Sequence, residues 1–143
     1  MLLDPSSLDL ISAIDSILGE EPPEGEIKPE FLQSVLEIAT VPCPDVPSVG
    51  TALVSLRGLV RDRAHARNLE IGAAGTHPFA RWEDQRIVSD DRYRGLVRSL
   101  GFVARQEIVF GMHVHVGMAD PEETIYAANG LRPHSHGLFL TLS

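Results

Sequence analysis

Apolar residues recur at three-and-four spacing along two long stretches of the chain. From Val49, the positions Ala52, Leu53, Leu56, Leu59, Val60 and Ala64 line one helix face, with Arg57, Arg61, Arg63 and Arg67 elsewhere around it. This spacing predicts a long helix. Asp90 and Asp91 place negative charge at the start of a second helix, whose expected buried stripe is Leu96, Val97, Leu100, Val103 and Ala104. Asp120-Pro121-Glu122-Glu123 opens a third, because proline suits the first helical position and acids suit the positive end of the dipole. Pro133 starts or kinks one last helical segment. Near the amino terminus Asp4-Pro5-Ser6-Ser7 is a turn or helix-start signal, and Ile11, Ile14, Ile17 and Leu18 then suggest a short helix before Gly19.

Other segments are too short or too β-branched for helices. Phe31 to Thr40 reads as a strand, ended by Pro42, Pro44 and Pro47. Leu69 to Ala74 predicts a short strand that leaves into a Gly75-Thr76-His77-Pro78 loop. Ile108 to Gly117 reads as a strand with Ile108, Phe110, Met112, Val114 and Val116 on one face and His113 and His115 on the other. Between the first helix and the first strand, Glu20, Glu21, Glu24, Glu26 and Glu30 share a segment with Pro22, Pro23, Gly25 and Pro29, read as a loop with its charges in water. Helices interleaved with short strands give an α/β or α+β class, with antiparallel pairing available to several strands. The apolar run from Leu138 to Leu142 has no closing cap. It predicts either truncation or a terminal helix docked on the core.

Composition narrows the function without choosing it. The 143 residues fit one domain, with 43% hydrophobic and 22% charged residues, a balance that folds. A net charge of -8 argues against nucleic acid as the main partner, since phosphate binding needs clustered Lys and Arg. Cys43 has no second cysteine to pair with, as expected of a reduced, cytoplasmic protein. No window approaches eighteen apolar residues, so no membrane partner is expected, and a homo-oligomer is compatible with the sequence.

Three places could carry chemistry. His113 and His115, two apart on an extended segment between Gly111 and Gly117, can point into one metal or ligand site, or can simply hydrogen-bond within a half-buried sheet face. Glu37 sits among Val35, Leu36, Ile38 and Ala39; buried, it would need a partner or a metal, while on an edge strand it would face solvent. Glu30, seven residues earlier, falls on the opposite face of a continuous strand and converges with Glu37 only if a turn intervenes. The third place is the loop Gly75-Thr76-His77-Pro78-Phe79-Ala80-Arg81-Trp82, where Arg81 and Arg86 could bind a carboxylate or phosphate, or pair with Glu83 or Asp84. Trp82 is expected to pack. P-loop, dinucleotide and nucleophile-elbow signatures are absent.

Taken together, the segment Lys28 to Thr40, the string Gly75-Thr76-His77-Pro78-Phe79-Ala80-Arg81-Trp82, Asp84-Gln85-Arg86, Arg92-Tyr93 and Gly111-Met112-His113-Val114-His115-Val116-Gly117 resemble the bacterial carboxylate–amine ligases, the type 2 glutamate–cysteine ligases. The resemblance runs in order across most of the chain. It implies a glutamine synthetase-like fold, ATP as cosubstrate, Mg2+ or Mn2+ as cofactor, and glutamate with an amine such as cysteine as small-molecule substrates. It further implies that His113, Glu37 and, more weakly, Glu30 bind metal. Thr76, His77, Arg81 and His115 lie in family motifs and are expected to contact substrate or nucleotide; no catalytic residue is assigned.

The sequence departs from the family at both ends. A glutamate-rich strand that normally precedes the part matching Leu3-Asp4-Pro5 is absent, and family members continue well past Ser143. The expectation is therefore a partial catalytic domain over residues 1–143 with little ligase activity of its own. A non-catalytic module binding metal or a partner is the alternative, and a metal-dependent hydrolase built on His113 and His115 is a third reading that lacks clear additional ligands.

Overall fold

The computed structural model describes residues 1–106 and 108–134. Two compact units divide the chain, Met1–Gly111 and Met112–Ser143. The architecture is α+β, helices with small antiparallel sheets.

In the first unit, strand β1 (Leu2–Leu3) pairs antiparallel with β4 (Glu70–Ile71), and β2 (Glu26–Pro29) pairs antiparallel with β3 (Leu36–Ala39). Helix α2 (Val46–His65) is the long helix the spacing predicts, begun three residues early because the Asp45 carboxylate accepts the Ser48 N–H and Pro47 sits in the first turn. Its buried residues are Leu56, Val60 and Ala64. Ala64 joins Leu2 and Ile17 in one core cluster, against which Ala13, Leu36, Leu69 and Ile71 pack. Helix and both strand pairs therefore share apolar contacts, and removing that area from water holds the unit together.

Four expectations are corrected. The acidic, proline-rich segment is not all loop: Glu26 to Pro29 forms β2, with Pro29 at the strand end where its missing donor costs least. Phe31 to Val35 is not strand, because the chain reverses there; Val35 N–H donates to the Leu32 carbonyl and Glu30 N–H to the Val35 carbonyl. The amino-terminal helix shrinks to α1 (Ile14–Ile17), since Asp4 accepts the Ser6 and Ser7 N–H groups in a turn and Ile11 N–H donates to Leu2. The fourth concerns α3 (Asp91–Leu100) and α4 (Phe102–Arg105), separated by Gly101 at φ +56°. Tyr93 and Ala104 are buried there, whereas Leu96, Leu100 and Val103 are exposed.

The expected strand over 108–117 is also absent. Val109 forms an isolated bridge with Thr76, and beyond Gly111 the chain has no ladder partner among the described residues. A strand needs neighbours for its N–H and C=O groups. Met112, Val114 and Val116 are exposed rather than packed on a sheet face. The second unit contains α5 (Pro121–Leu131), capped by the Asp120 carboxylate accepting the Glu123 N–H, and a 3₁₀ turn at Arg132–His134. The apolar run 138–142 lies outside the described residues.

Candidate functional site

The β2–β3 register decides where the predicted acids stand. Lys28 lies directly opposite Glu37, and Ile27 opposite Ile38, so the period-two rule puts Glu26, Lys28 and Glu37 on the outer face and Ile27, Leu36 and Ile38 on the inner one. The Lys28 ammonium is 3.6 Å from the Glu37 carboxylate and 3.4 Å from that of Glu26. The Glu37 charge, and then the Glu26 hydrogen bond, raise the Lys28 pKa above its ordinary value. All three side chains are about half exposed, so the pairs orient the carboxylates more than they stabilise the fold. Glu37 thus takes the solvent-facing alternative.

The turn after Glu30 puts Glu30, at the end of β2, and Glu37, in β3, on the same face of the hairpin by alternation, where a continuous strand would separate them. Glu30 continues the Lys28 side of β2, and its carboxylate accepts the N–H of Phe31. The Phe31 ring meets Tyr93 edge-on at 5.5 Å between centroids, which lays the phenol of α3 over the hairpin end. Burial first, and then the negative charge of Glu30, push the Tyr93 phenol above its ordinary pKa; Glu37 acts the same way and Arg92, stacked on the ring at 5.0 Å, opposes them. Both carboxylates therefore act on one buried phenol.

The Gly75–Trp82 loop is fastened at several points. Thr76 Oγ1 donates to the Ile108 carbonyl at 2.6 Å, and Phe110 N–H donates to Gly75. His77 is buried, with Nε2 2.9 Å from the Leu8 carbonyl and Nδ1 3.0 Å from the Ala80 nitrogen. Trp82 packs, as expected, against the cluster of Leu32, Val35 and Ile108. Arg81 is exposed and lies 3.7 Å from Glu83, so the pairing expected of either arginine is made here by Arg81.

Behind the loop, the fully buried Ser34 hydroxyl donates to Gln85 Oε1 at 3.0 Å, and Gln85 Nε2 donates to the Arg81 carbonyl at 3.2 Å. Leu32 bridges to Ile87, docking the loop on the turn that follows Glu30. The turn after Glu30 is thereby tied to the Arg81 carbonyl, while Thr76 and His77 are held separately by Ile108 and Leu8.

His113 and His115 lie exposed in the second unit, in a segment without assigned strand, with ring centroids 6.4 Å apart. Their two-residue spacing keeps the rings neighbours without a sheet. Among the described residues, no three His, Cys, Asp or Glu side chains gather into a cluster able to hold a metal ion, and no helix is long and apolar enough to cross a membrane. Sequence reasoning missed Lys28, Tyr93, Ser34 and Gln85. Lys28 left a signal in the alternation of Glu26-Ile27-Lys28, and Ser34, Gln85 and Tyr93 lie within the strings that carry the family resemblance.

A sequence model described as Glutamate-cysteine ligase family 2 matches residues 3–143. The chain is 41% identical over 138 residues to a protein of Chloroflexus aggregans named "Putative glutamate--cysteine ligase 2", covering 93% of this chain and 35% of that protein. It is 38% identical over 144 residues to "Putative glutamate--cysteine ligase 2-1" of Rubrobacter xylanophilus, covering 99% and 38% respectively, and 39% identical over 140 residues to a relative from Sorangium cellulosum, covering 93% and 37%. The chain thus spans little more than a third of the length of these curated relatives. Because the family match extends from Leu3 to the last residue, the chain belongs to glutamate-cysteine ligase family 2.

Proposed function

We propose that this chain forms part of the catalytic face of an ATP-dependent carboxylate–amine ligase. The reaction joins the γ-carboxylate of glutamate to an amine such as that of cysteine. In the first step the glutamate carboxylate oxygen takes the γ-phosphoryl group of ATP and ADP leaves. In the second the amine nitrogen attacks the acyl phosphate, phosphate leaves with the C–O bond, and the amine loses a proton. The observation that carries this reading is the family match, joined to the outer face of the β2–β3 hairpin, which bears Glu37 and, by alternation, Glu30.

The donor chemistry of that face fits a hard divalent cation. Carboxylate oxygens are the ligands that Mg2+ and Mn2+ prefer; Glu37 is half exposed and held only by a weak lysine pair, while Glu30 commits one oxygen to Phe31 N–H. Glu37 and Glu30 would hold the ion, and His113 keeps the family's metal-binding role on the strength of its motif. Such an ion, when bound, neutralises charge on the triphosphate. Lys28 orients Glu37. Exposed Arg81 offers a guanidinium to phosphate or carboxylate, with Thr76 and His115 as further substrate- or nucleotide-contacting groups.

The remaining ligands, in this reading, belong to the length of the relatives that the chain does not span. The two short antiparallel pairs then belong to a larger, glutamine synthetase-like sheet, and exposed Leu96, Leu100 and Val103 supply apolar surface for additional structure to cover. One free cysteine, Cys43, suits a reducing cytoplasm.

The test is ADP release with glutamate and a panel of amines, from the chain alone and from the chain joined to the segments that complete its relatives. Little activity is expected alone and glutamate- and amine-dependent release on completion, with large losses in Glu37→Ala and His113→Ala. Unchanged activity in both variants would remove the metal assignment. Amine-dependent release from the chain alone would refute its incompleteness.

A further inference from the structure

His77 is the buried titratable side chain of the loop, and its two contacts fix its chemistry. A backbone N–H can only donate, so the Ala80 nitrogen requires His77 Nδ1 to be an unprotonated acceptor. A carbonyl oxygen can only accept, so Leu8 requires Nε2 to carry the proton. One form of imidazole satisfies both: neutral, protonated at Nε2. The residue is 8% exposed, and its ring stands edge-on to Phe79, with 4.5 Å between centroids. Leu8 itself holds a φ of +61°, unusual for a leucine, and the contact bridges 69 residues of sequence. Neither ring nitrogen is left for a substrate or a metal.

We propose that His77 is a positioning residue, a neutral Nε2–H imidazole that clamps the Gly75–Trp82 loop to the Leu8 carbonyl and so holds Thr76 and Arg81 in place. The value of that placement to a ligand rests on the ligase reading above; the clamp itself does not. Glutamine places an amide nitrogen at about the depth of Nε2 and preserves the tie to Leu8, whereas asparagine places an oxygen at the depth of Nδ1 and preserves only the bond to Ala80. The two variants therefore separate the two contacts.

The experiment uses the full 143-residue chain. Imidazole 15N spectra at neutral pH are expected to show His77 with a protonated Nε2 and a pyridine-like Nδ1; an Nδ1–H tautomer or an imidazolium would overturn the proposal. Trypsin cleavage after exposed Arg81 reports opening of the loop. His77→Asn should be cut roughly tenfold faster than the parent, the effect of losing the buried hydrogen bond to Leu8, and His77→Ala, which loses both contacts, at least as fast; His77→Gln, which gives up only the contact to Ala80 within the loop, should stay close to the parent rate. Equal rates in His77→Asn and the parent would overturn the tie to Leu8. If His77→Ala unfolds globally, cleavage in α2 rises with it, and the spectra with the two amide variants decide. None of these readouts requires ligase activity, so failure here is distinguishable from failure of the proposed function.

Discussion

Gly25 and Gly58 invite the same substitution and should respond with opposite signs. Gly25 leads into β2 at φ +82°, a conformation that costs an L-residue about 1–2 kcal/mol. An added Cβ there would lie 2.5 Å from the Ala39 carbonyl oxygen and 3.0 Å from Leu56 Cδ1. The leucine methyl can turn aside, but the carbonyl belongs to β3 and moves only if the hairpin moves. Adding that displacement brings the expected cost of Gly25→Ala to about 2–4 kcal/mol. Gly58 lies within α2, where a Cβ meets nothing within 4 Å, so Gly58→Ala should stabilise by about 1 kcal/mol through helix propensity alone. Urea titrations followed by far-ultraviolet circular dichroism measure both, with equal slopes confirming that the midpoint shift is a stability change. Gly25→Ala within about 0.5 kcal/mol of the parent, or shifting in the same direction as Gly58→Ala, would refute this account of the hairpin entry.

Ile17→Ala removes a fully buried side chain from the cluster with Leu2 and Ala64 and should cost about 2–5 kcal/mol in the same titration. Ser34→Ala deletes the donor to Gln85 and should cost about 1–2 kcal/mol while loosening the docking of residues 85–86 on the turn, read as faster hydrogen exchange at Gln33, whose N–H donates to the Arg86 carbonyl. The Met1 amine, donating to the Gly72 carbonyl, has its pKa lowered by burial from 8.0 to about 6. The unfolded amine therefore protonates first as pH falls below 8, and stability should decline between pH 8 and 6 by at most about 2–3 kcal/mol. Acetylating that amine should flatten this part of the profile; an unchanged slope would assign it to another group.

Much of the α+β character was legible in the sequence because it depends on neighbours in the chain. The face of α2, the Asp90 and Asp120 helix starts, and the short strand at Glu70 all follow from local spacing and side-chain chemistry, whereas the Asp45 cap that begins α2 early went unread. The family was legible too, since ordered strings such as Gly75 to Trp82 require no geometry to recognise. What the sequence could not decide was pairing. Whether Glu30 and Glu37 share a face depended on a turn closed by Glu30 and Val35, and whether 108–117 is a strand depended on partners that local alternation does not reveal. His77 stands in the same position: its motif suggested a contact for substrate, whereas the proposed clamp rests on its contacts to Leu8 and Ala80, which only the fold supplies. Local pattern sets what a segment can become, but a hydrogen bond spanning 69 residues exists only once the chain has folded.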